Sequence, residues 1–153
     1  MKPSTPILWI GLSTTILGCL PVPFVERVVP EIDGRLTSPN GAAVAGWNVK
    51  RIADFTDDDV RQGRACERDG DTASTDAAGR FHFHSSWRLL PVIPLYGDPI
   101  WRVLVCVQDG DNGVSAWQGG QIGRTPSRIA LSCQVEGEPG SAAVKCQTEP
   151  AAQ

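Results

Sequence analysis

From Glu31 onward, hydrophobic and polar residues alternate in short runs that are separated by Gly, Pro, Asp and Asn. Alternation with a period of two is typical of a strand with one buried face, and the interruptions are typical of turns. No segment keeps the three-and-four spacing of an amphipathic helix. The predicted strands are Ile32–Thr37, Ala43–Ile52, Gly79–Ser85, Trp101–Gln108, Val114–Gln118 and Arg128–Val135.

The alternation also predicts which side of each strand is buried. Phe81 and Phe83 face one way, while the polar residues around them face the other. Two further strands carry apolar stripes, formed by Ile129, Leu131, Cys133 and Val135 and by Val103, Val105 and Val107. The last strand is apolar on its other side too, through Leu104 and Cys106.

Only Thr56–Gln62 fits a short helix, with Thr56 as N-cap and acidic residues 57–59 near the positive end of the helix dipole. Many short strands joined by frequent turns predict an all-β fold, an antiparallel sandwich. We assign this single domain to residues 32–148 and a flexible tail to residues 149–153.

The N-terminus has a different character. Lys2 precedes an apolar run from Pro6 to Leu17, which suits a signal-peptide core and is too short to span a bilayer. The run ends in Ile16-Leu17-Gly18-Cys19, which resembles the lipobox of bacterial lipoproteins. The resemblance implies a signal peptide over residues 1–18 and a lipid anchor on Cys19. The alternative is ordinary secretion, with Cys19 incidental.

Residues 19–31 contain three prolines and no periodic pattern, so they are predicted to form an extended tether. Acyl chains contribute about 0.8 kcal/mol per buried CH₂, so two or three chains make attachment effectively permanent. Resemblance to lipoprotein sorting favours the outer membrane, on its periplasmic or surface face, because Leu20 is not the aspartate that retains some lipoproteins at the inner membrane.

The cysteine count agrees with an exported lipoprotein. Five cysteines leave one unpaired in an oxidising compartment, and lipid on Cys19 resolves the imbalance. The other four can form two disulfides, as expected of an exported domain. Three pairings are open, and the predicted one joins Cys133 to Cys146 and Cys66 to Cys106.

Charge and composition limit the classes of binding partner that the chain is expected to have. The apolar share of 41% and the charged share of 20% suit a globular domain. The net charge is −3, and removal of Lys2 makes it more negative. No basic cluster occurs, so nucleic acid is not an expected partner, and neither is electrostatic docking on anionic lipid.

Residues 32–84 resemble the carboxypeptidase regulatory-like domain. The resemblance rests on Gly34-Arg35-Leu36, Gly41, Val44-Ala45-Gly46-Trp47-Asn48-Val49 and Thr75-Asp76-Ala77-Ala78-Gly79-Arg80-Phe81-His82-Phe83. It implies a transthyretin-like Greek-key sandwich of about seven strands, used as a non-catalytic appendage. Gly46 suits a bend, and Asp76 with Gly79 suits a tight turn. After Ser85 the chain departs from the family pattern.

His82 and His84 are the first candidates for chemistry. Two imidazoles two positions apart on a strand can share a metal ion, but a catalytic zinc site needs a third protein ligand and the chain has no other His. A solvated sheet face is therefore the prediction, with a metal protein or enzyme centred on this pair as the alternative. Asp69-x-Asp71 and Asp109-x-Asp111 lack the later ligands of a calcium loop and are predicted to be turns.

Motifs of related and unrelated enzymes are absent from the sequence. It contains no Gly-x-Ser-x-Gly elbow, no His-x-x-Glu zinc motif of carboxypeptidases and no C-terminal Tyr-Arg-Gly-Ser of the hydroxyisourate hydrolases. We therefore predict neither catalytic activity nor a cofactor.

The segment Ser85–Pro99 is apolar but broken by three prolines, so it cannot be a central strand. It either covers an edge of the sandwich or presents an apolar patch to a partner. The candidate contact residues are Trp87, Leu89, Leu90, Ile93 and Tyr96. Tryptophans also allow a glycan-binding module, through Trp47, Trp87, Trp101 and Trp117. The prediction is a lipid-anchored accessory that contacts the membrane through its anchor and another envelope protein through this segment.

Overall fold

The computed structural model of the chain describes residues 24–90, 100–109, 112–136 and 143–150. Within these ranges the strands are β1 (Phe24–Val29), β2 (Glu31–Thr37), β3 (Asn48–Ile52), β4 (Asp71–Ser74), β5 (Arg80–Phe83), β6 (Ser86–Leu90), β7 (Ile100–Asp109), β8 (Asn112–Ile122), β9 (Arg128–Glu136) and β10 (Ala143–Thr148). Helix α1 spans Asp57–Arg61, and a 3-10 helix spans Ala65–Glu67. No helix in these ranges is long and apolar enough to cross a membrane.

The strands form three sheets. The β2 sheet has the order β10-β9-β2-β5, the β3 sheet has the order β4-β3-β7-β8, and β1 pairs with β6 in a two-stranded sheet. The predicted all-β sandwich is confirmed. The described residues contain ten strands, against about seven predicted, and β2 runs parallel to β9 in an otherwise antiparallel arrangement.

The two four-stranded sheets pack through a common apolar core. Ile32 and Leu36 of β2 and Val49 of β3 are fully inaccessible to solvent. The three predicted apolar stripes, on β5, β7 and β9, all face this core. Burial of these side chains on both sheets is the main force that holds the sandwich together.

A second, smaller core lies on the outer face of the β3 sheet, which explains the apolar residues on both sides of β7. Its members are Ile52, Phe55, Ala65, Cys66, Leu104 and Cys106. The Cys66–Cys106 disulfide, with Cα atoms 5.8 Å apart, ties the 3-10 helix to β7. Arg102 covers the cluster, with its guanidinium carbon 4.7 Å from the Phe55 ring centre.

Helix α1 begins at the predicted cap. The Thr56 hydroxyl accepts a hydrogen bond from the Asp59 backbone N–H (3.2 Å), and the Asp59 carboxylate accepts one from the Thr56 backbone N–H (2.9 Å). Arg68 donates to both Asp59 carboxylate oxygens at 2.9 Å. Hydrogen bonds from Arg68 and then from Thr56 lower the pKa of Asp59 from 3.8 to about 2.

This capping contact predicts an acid-sensitive helix. A carboxylate whose pKa is lower in the folded state stabilises the fold above its ordinary pKa of 3.8, and the contribution is lost as the pH falls to about 2. We expect Asp59→Asn to lower the Tm near neutral pH, and the difference from wild type to shrink as the pH falls through that window. The control is Asp58→Asn, since Asp58 is exposed and pairs with the equally exposed Arg61 on the surface of the helix. A pH-independent difference for Asp59→Asn would contradict the prediction.

Two predicted turn features are present between β2 and β5. The Asp76 carboxylate accepts hydrogen bonds from the backbone N–H groups of Ala78 and Arg80, both at 2.8 Å, and Gly79 has a φ of 72°. Gly46, with a φ of 76°, bends the chain before β3. Because of this bend, the strand predicted to start at Ala43 starts at Asn48.

Gly34 of β2 lies directly opposite Phe81 of β5, and the Phe81 ring lies across it. A Cβ atom at position 34 would be 2.0 Å from the Phe81 Cζ. Gly34→Ala should therefore displace a buried ring and lower the free energy of unfolding by about 1–3 kcal/mol, measured by urea denaturation. The double variant Gly34→Ala/Phe81→Leu should lose less unfolding free energy than the sum of the losses of the two single variants. Losses that simply add would contradict the proposed clash.

β1 occupies the segment predicted to be a tether. It pairs with β6 along its length, and Val29 and Pro30 are buried. The tether assigned to residues 19–31 is therefore wrong for residues 24–31, because Val28 and Val29 pack on the main core. Residues 19–23, the signal peptide 1–18 and the last three residues of the predicted tail lie outside the described residues.

Arg51 of β3 is the most connected buried polar residue of this region, with 5% of its side chain exposed. Its guanidinium donates to the carbonyl oxygens of Pro30 (3.1 Å) and His84 (2.6 Å) and pairs with the Asp71 carboxylate. These bonds join the starts of β2 and β4 and the end of β5 to β3. Asp71 is thus the first residue of β4, not a turn residue as predicted.

Candidate functional site

The exposed face of the β2 sheet carries a connected group of titratable side chains. Asp33 of β2 lies opposite His82 of β5, and its carboxylate Oδ1 is 2.9 Å from His82 Nδ1. Arg128, at the start of β9, donates to Asp33 Oδ2 at 2.6 Å. His84 lies just beyond β5, with its Nδ1 3.0 Å from His82 Nε2. The strand alternation that buries Phe81 and Phe83 places both imidazoles on this face, as predicted.

The charge of Asp33 fixes the arrangement of protons. Partial burial raises the pKa of Asp33, but hydrogen bonds from His82 and Arg128 outweigh it and hold that pKa below its ordinary value. An ionised carboxylate only accepts hydrogen bonds, so His82 donates through Nδ1–H and a neutral His82 has a lone pair on Nε2. His84 then donates to that lone pair through its own Nδ1–H.

Glu31, Asp33 and His82 each offer a ligand atom within 4.8 Å of the others. However, Arg128 already stands between the two carboxylates, with Nε 2.6 Å from Asp33 and 3.8 Å from Glu31. A cation at that point would compete with a fixed positive charge. The three residues are therefore better described as the ion-pair network that orients His82.

The group borders an open concavity of about 680 Å³. Asp33, His82 and Arg128 are among its lining residues, as are Ala73 and Ser74 of β4. Arg35, Asp76, Arg80 and Glu149 also line it, so its lining carries charges of both signs. The concavity leaves solvent and small solutes free access to the network.

A second candidate surface is apolar and lies on the sheet of β1 and β6. Val25 pairs with Leu89, and Arg27 pairs with Trp87, so the four side chains point to one side. We call this surface the Trp87 face. Val25, Trp87 and Leu89 are 61%, 54% and 64% exposed. The Arg27 guanidinium lies 4.5 Å from the Trp87 ring centre, and the indole N–H donates to the Ser85 hydroxyl at 3.1 Å.

Two of the five predicted partner-binding residues, Trp87 and Leu89, are thus exposed on one surface. Leu90 ends β6, but its side chain lies outside the described residues, as do Ile93 and Tyr96. In the described sheets β6 pairs with β1 and joins neither four-stranded sheet, which agrees with the expectation that this segment is not a central strand.

The tryptophans do not form a shared platform for sugar rings. Trp101 is buried, and Trp47 and Trp117 are half-buried against the main core. Trp87 is the one exposed member of the four. A glycan-binding role has no further support from the described side chains.

The predicted cysteine pairing is confirmed. Cys66 is bonded to Cys106, and Cys133 is bonded to Cys146, its direct neighbour across β9 and β10. Cys19 lies outside the described residues.

Sequence reasoning missed Asp33 and Arg128, which complete the histidine network. Alternation around Ile32 does place Asp33 on the polar side of β2. Nothing local indicates that β5 and β9 flank β2, and this adjacency is what brings the three charged groups together.

Comparisons with known proteins leave the family open. No family model matches the chain, and no curated protein matches it. Among solved structures, 3-chlorocatechol 1,2-dioxygenase from Rhodococcus opacus 1CP is similar, with 12% identity and a TM-score of 0.34. The match covers 76% of this chain and 56% of that enzyme. A likeness this weak supports no statement about fold or activity.

Proposed function

We propose that this protein is a lipid-anchored, non-catalytic β-sandwich of the cell envelope that binds another envelope protein through the Trp87 face. The resemblance of residues 32–84 to the carboxypeptidase regulatory-like domain supports an accessory rather than catalytic role. The observation that carries the proposal is the exposure of Val25, Trp87 and Leu89 on one side of a sheet.

The disulfides support export. The structure contains two disulfides, which persist in an oxidising compartment and are rare in the reducing cytosol. Their four cysteines leave Cys19 of the five, at the end of a sequence that resembles a lipobox. This is the cysteine expected to carry lipid.

The composition of the Trp87 face supports protein recognition. Tryptophan and arginine dominate the binding energy of protein interfaces, and here Arg27 holds the Trp87 ring in place before any partner arrives. The acidic net charge of −3 disfavours docking on anionic lipid. Residues 19–23 can span at most roughly 18 Å, which keeps β1 close to the lipid anchor.

The anchor is tested by mass spectrometry of the processed protein. We expect cleavage before Cys19 and a diacylglycerol-modified thiol, and Cys19→Ser should move the protein from the membrane fraction to the soluble fraction. An unmodified Cys19 in an exported protein would contradict the anchor without affecting the Trp87 face.

The binding surface is tested by photo-crosslinking in intact cells. A photoreactive amino acid at position 89 should give a protein adduct, whereas one at Ser132, an exposed position of β9, should not. Trp87→Ser should abolish the adduct at position 89, because the indole is the anchor of the surface. Adducts to lipid at position 89, or equal adducts at position 132, would contradict the proposed surface.

A further inference from the structure

The histidine pair has the geometry of a small metal-binding site. His82 Nε2 and His84 Nδ1 are 3.0 Å apart, and the two rings are inclined by 79°. Two nitrogens bound to one metal at about 2.0–2.1 Å are separated by about 2.9 Å at a right angle and by about 3.3 Å at a tetrahedral angle. A hydrogen bond spans this 3.0 Å in the metal-free protein, and the two nitrogens already lie within the separation that one metal ion requires.

We propose that His82 and His84 form an open two-histidine site for a divalent transition-metal ion, with copper(II) preferred. Copper(II) favours the square-planar or tetragonal geometry that right-angled nitrogens supply, and it binds nitrogen ligands more tightly than the other first-row divalent ions. Two protein ligands leave the remaining positions to water or small solutes, which reach them from the solvent-exposed face. The site does not depend on lipid at Cys19.

Asp33 acts as the positioning residue. Its carboxylate accepts the Nδ1–H of His82 and so leaves the lone pair on Nε2, the atom that faces His84. Carboxylates that hold a ligating histidine in this way are a common feature of metal sites. Arg128 in turn holds Asp33 at 2.6 Å, on the far side of the carboxylate from the imidazole pair.

Metal binding requires one proton to move. In the metal-free protein His84 donates its Nδ1–H to His82, so this lone pair is not yet available. Transfer of that proton to Nε2 of the same ring, through solvent, frees Nδ1 without net loss of a proton from neutral His84. The exposed His84 ring can then turn so that both nitrogens face the ion.

The two-histidine site is separate from the carboxylates of Glu31 and Asp33. Arg128 lies between those carboxylates and repels a cation there. The imidazole pair lies on the other side of the His82 ring, and neither His84 nor the facing edge of His82 bonds to a cationic side chain among the described residues. This separation explains why the metal would take nitrogen rather than oxygen ligands from the protein.

The test is copper(II) titration of the full chain, purified without a histidine tag and followed by calorimetry and electron paramagnetic resonance. We expect one ion per chain and nitrogen couplings from two imidazoles, which can come only from His82 and His84 because the sequence holds two His. His82→Ala and His84→Ala should each weaken binding at least tenfold, and Asp33→Asn by about tenfold.

Glu149→Gln is the matched control, because this carboxylate also borders the concavity but bonds to neither imidazole. It should bind copper(II) like wild type. Ring ¹⁵N shifts of the wild-type histidines on zinc(II) addition give a measurement that needs no variant. Unchanged copper affinity in the His82→Ala/His84→Ala double variant, or a wild-type spectrum without imidazole couplings, would overturn the proposal.

Discussion

Loss of the Cys66–Cys106 disulfide in Cys66→Ala/Cys106→Ala should lower the free energy of unfolding by about 4 kcal/mol. The bridge closes a loop of 40 positions, and the entropy that a cross-link removes from the unfolded chain rises with loop length. The Cys133–Cys146 bridge closes 13 positions and should contribute about 3 kcal/mol on the same basis. Cys66 lies in the 3-10 helix and Cys106 in β7, so this bridge also holds the second core against β7.

The measurement is guanidinium denaturation of the two double variants under non-reducing conditions. Each variant is the natural control for the other, since both remove one bridge and leave the second intact. In strong reductant, the wild-type protein should have the same free energy of unfolding as a variant in which all four of these cysteines are replaced by alanine. A larger loss for Cys133→Ala/Cys146→Ala than for Cys66→Ala/Cys106→Ala would contradict the prediction.

Replacement of Arg51 by Met should cost about 3 kcal/mol of stability. The methionine side chain fills much of the same space, but it cannot donate hydrogen bonds. The carbonyl oxygens of Pro30 and His84 would then lose a charged donor, and hydrogen bonds to charged groups contribute about 1.5–3 kcal/mol each. The variant would also lose the contact between the guanidinium carbon and the Phe83 ring, whose centre lies 5.2 Å away.

Arg61→Met is the matched control for Arg51→Met. Arg61 is 74% exposed and pairs with Asp58 on the surface, so its loss should cost less than about 1 kcal/mol. Asp71→Asn separates the ion pair from the carbonyl contacts, because it removes the negative partner of Arg51 and leaves the bonds to Pro30 and His84 in place. Equal losses for Arg51→Met and Arg61→Met, measured by urea denaturation, would contradict the bridging role of Arg51.

Much of the sandwich was predictable because its strongest strands obey a strict period of two. The alternation of Phe81 and Phe83 with polar neighbours, and that of β9, identified the core-facing sides correctly. The α1 cap was predictable as well, since Thr56 precedes a cluster of acidic residues. The disulfide pairing chosen from the three that four cysteines allow agrees with the structure.

The missed features depend on contacts between distant segments. β1 lies among prolines and β4 is polar, so neither carries a local strand signal, and both form because a neighbouring strand is available to pair with. The bonds of Arg51 and the contact of Asp33 with His82 require strand neighbours that no local pattern encodes. The candidate site was therefore predicted as two isolated histidines, without the carboxylate and guanidinium that orient them.

The parallel pairing of β2 with β9 determines when the domain can become compact. The Thr37 hydroxyl donates to the Cys133 carbonyl oxygen, 96 positions later, so β2 has no neighbour on that side until β9 has been synthesised. Contacts between segments so distant in sequence slow the collapse of a β domain. A newly made chain therefore cannot complete the β2 sheet until β9 has left the ribosome.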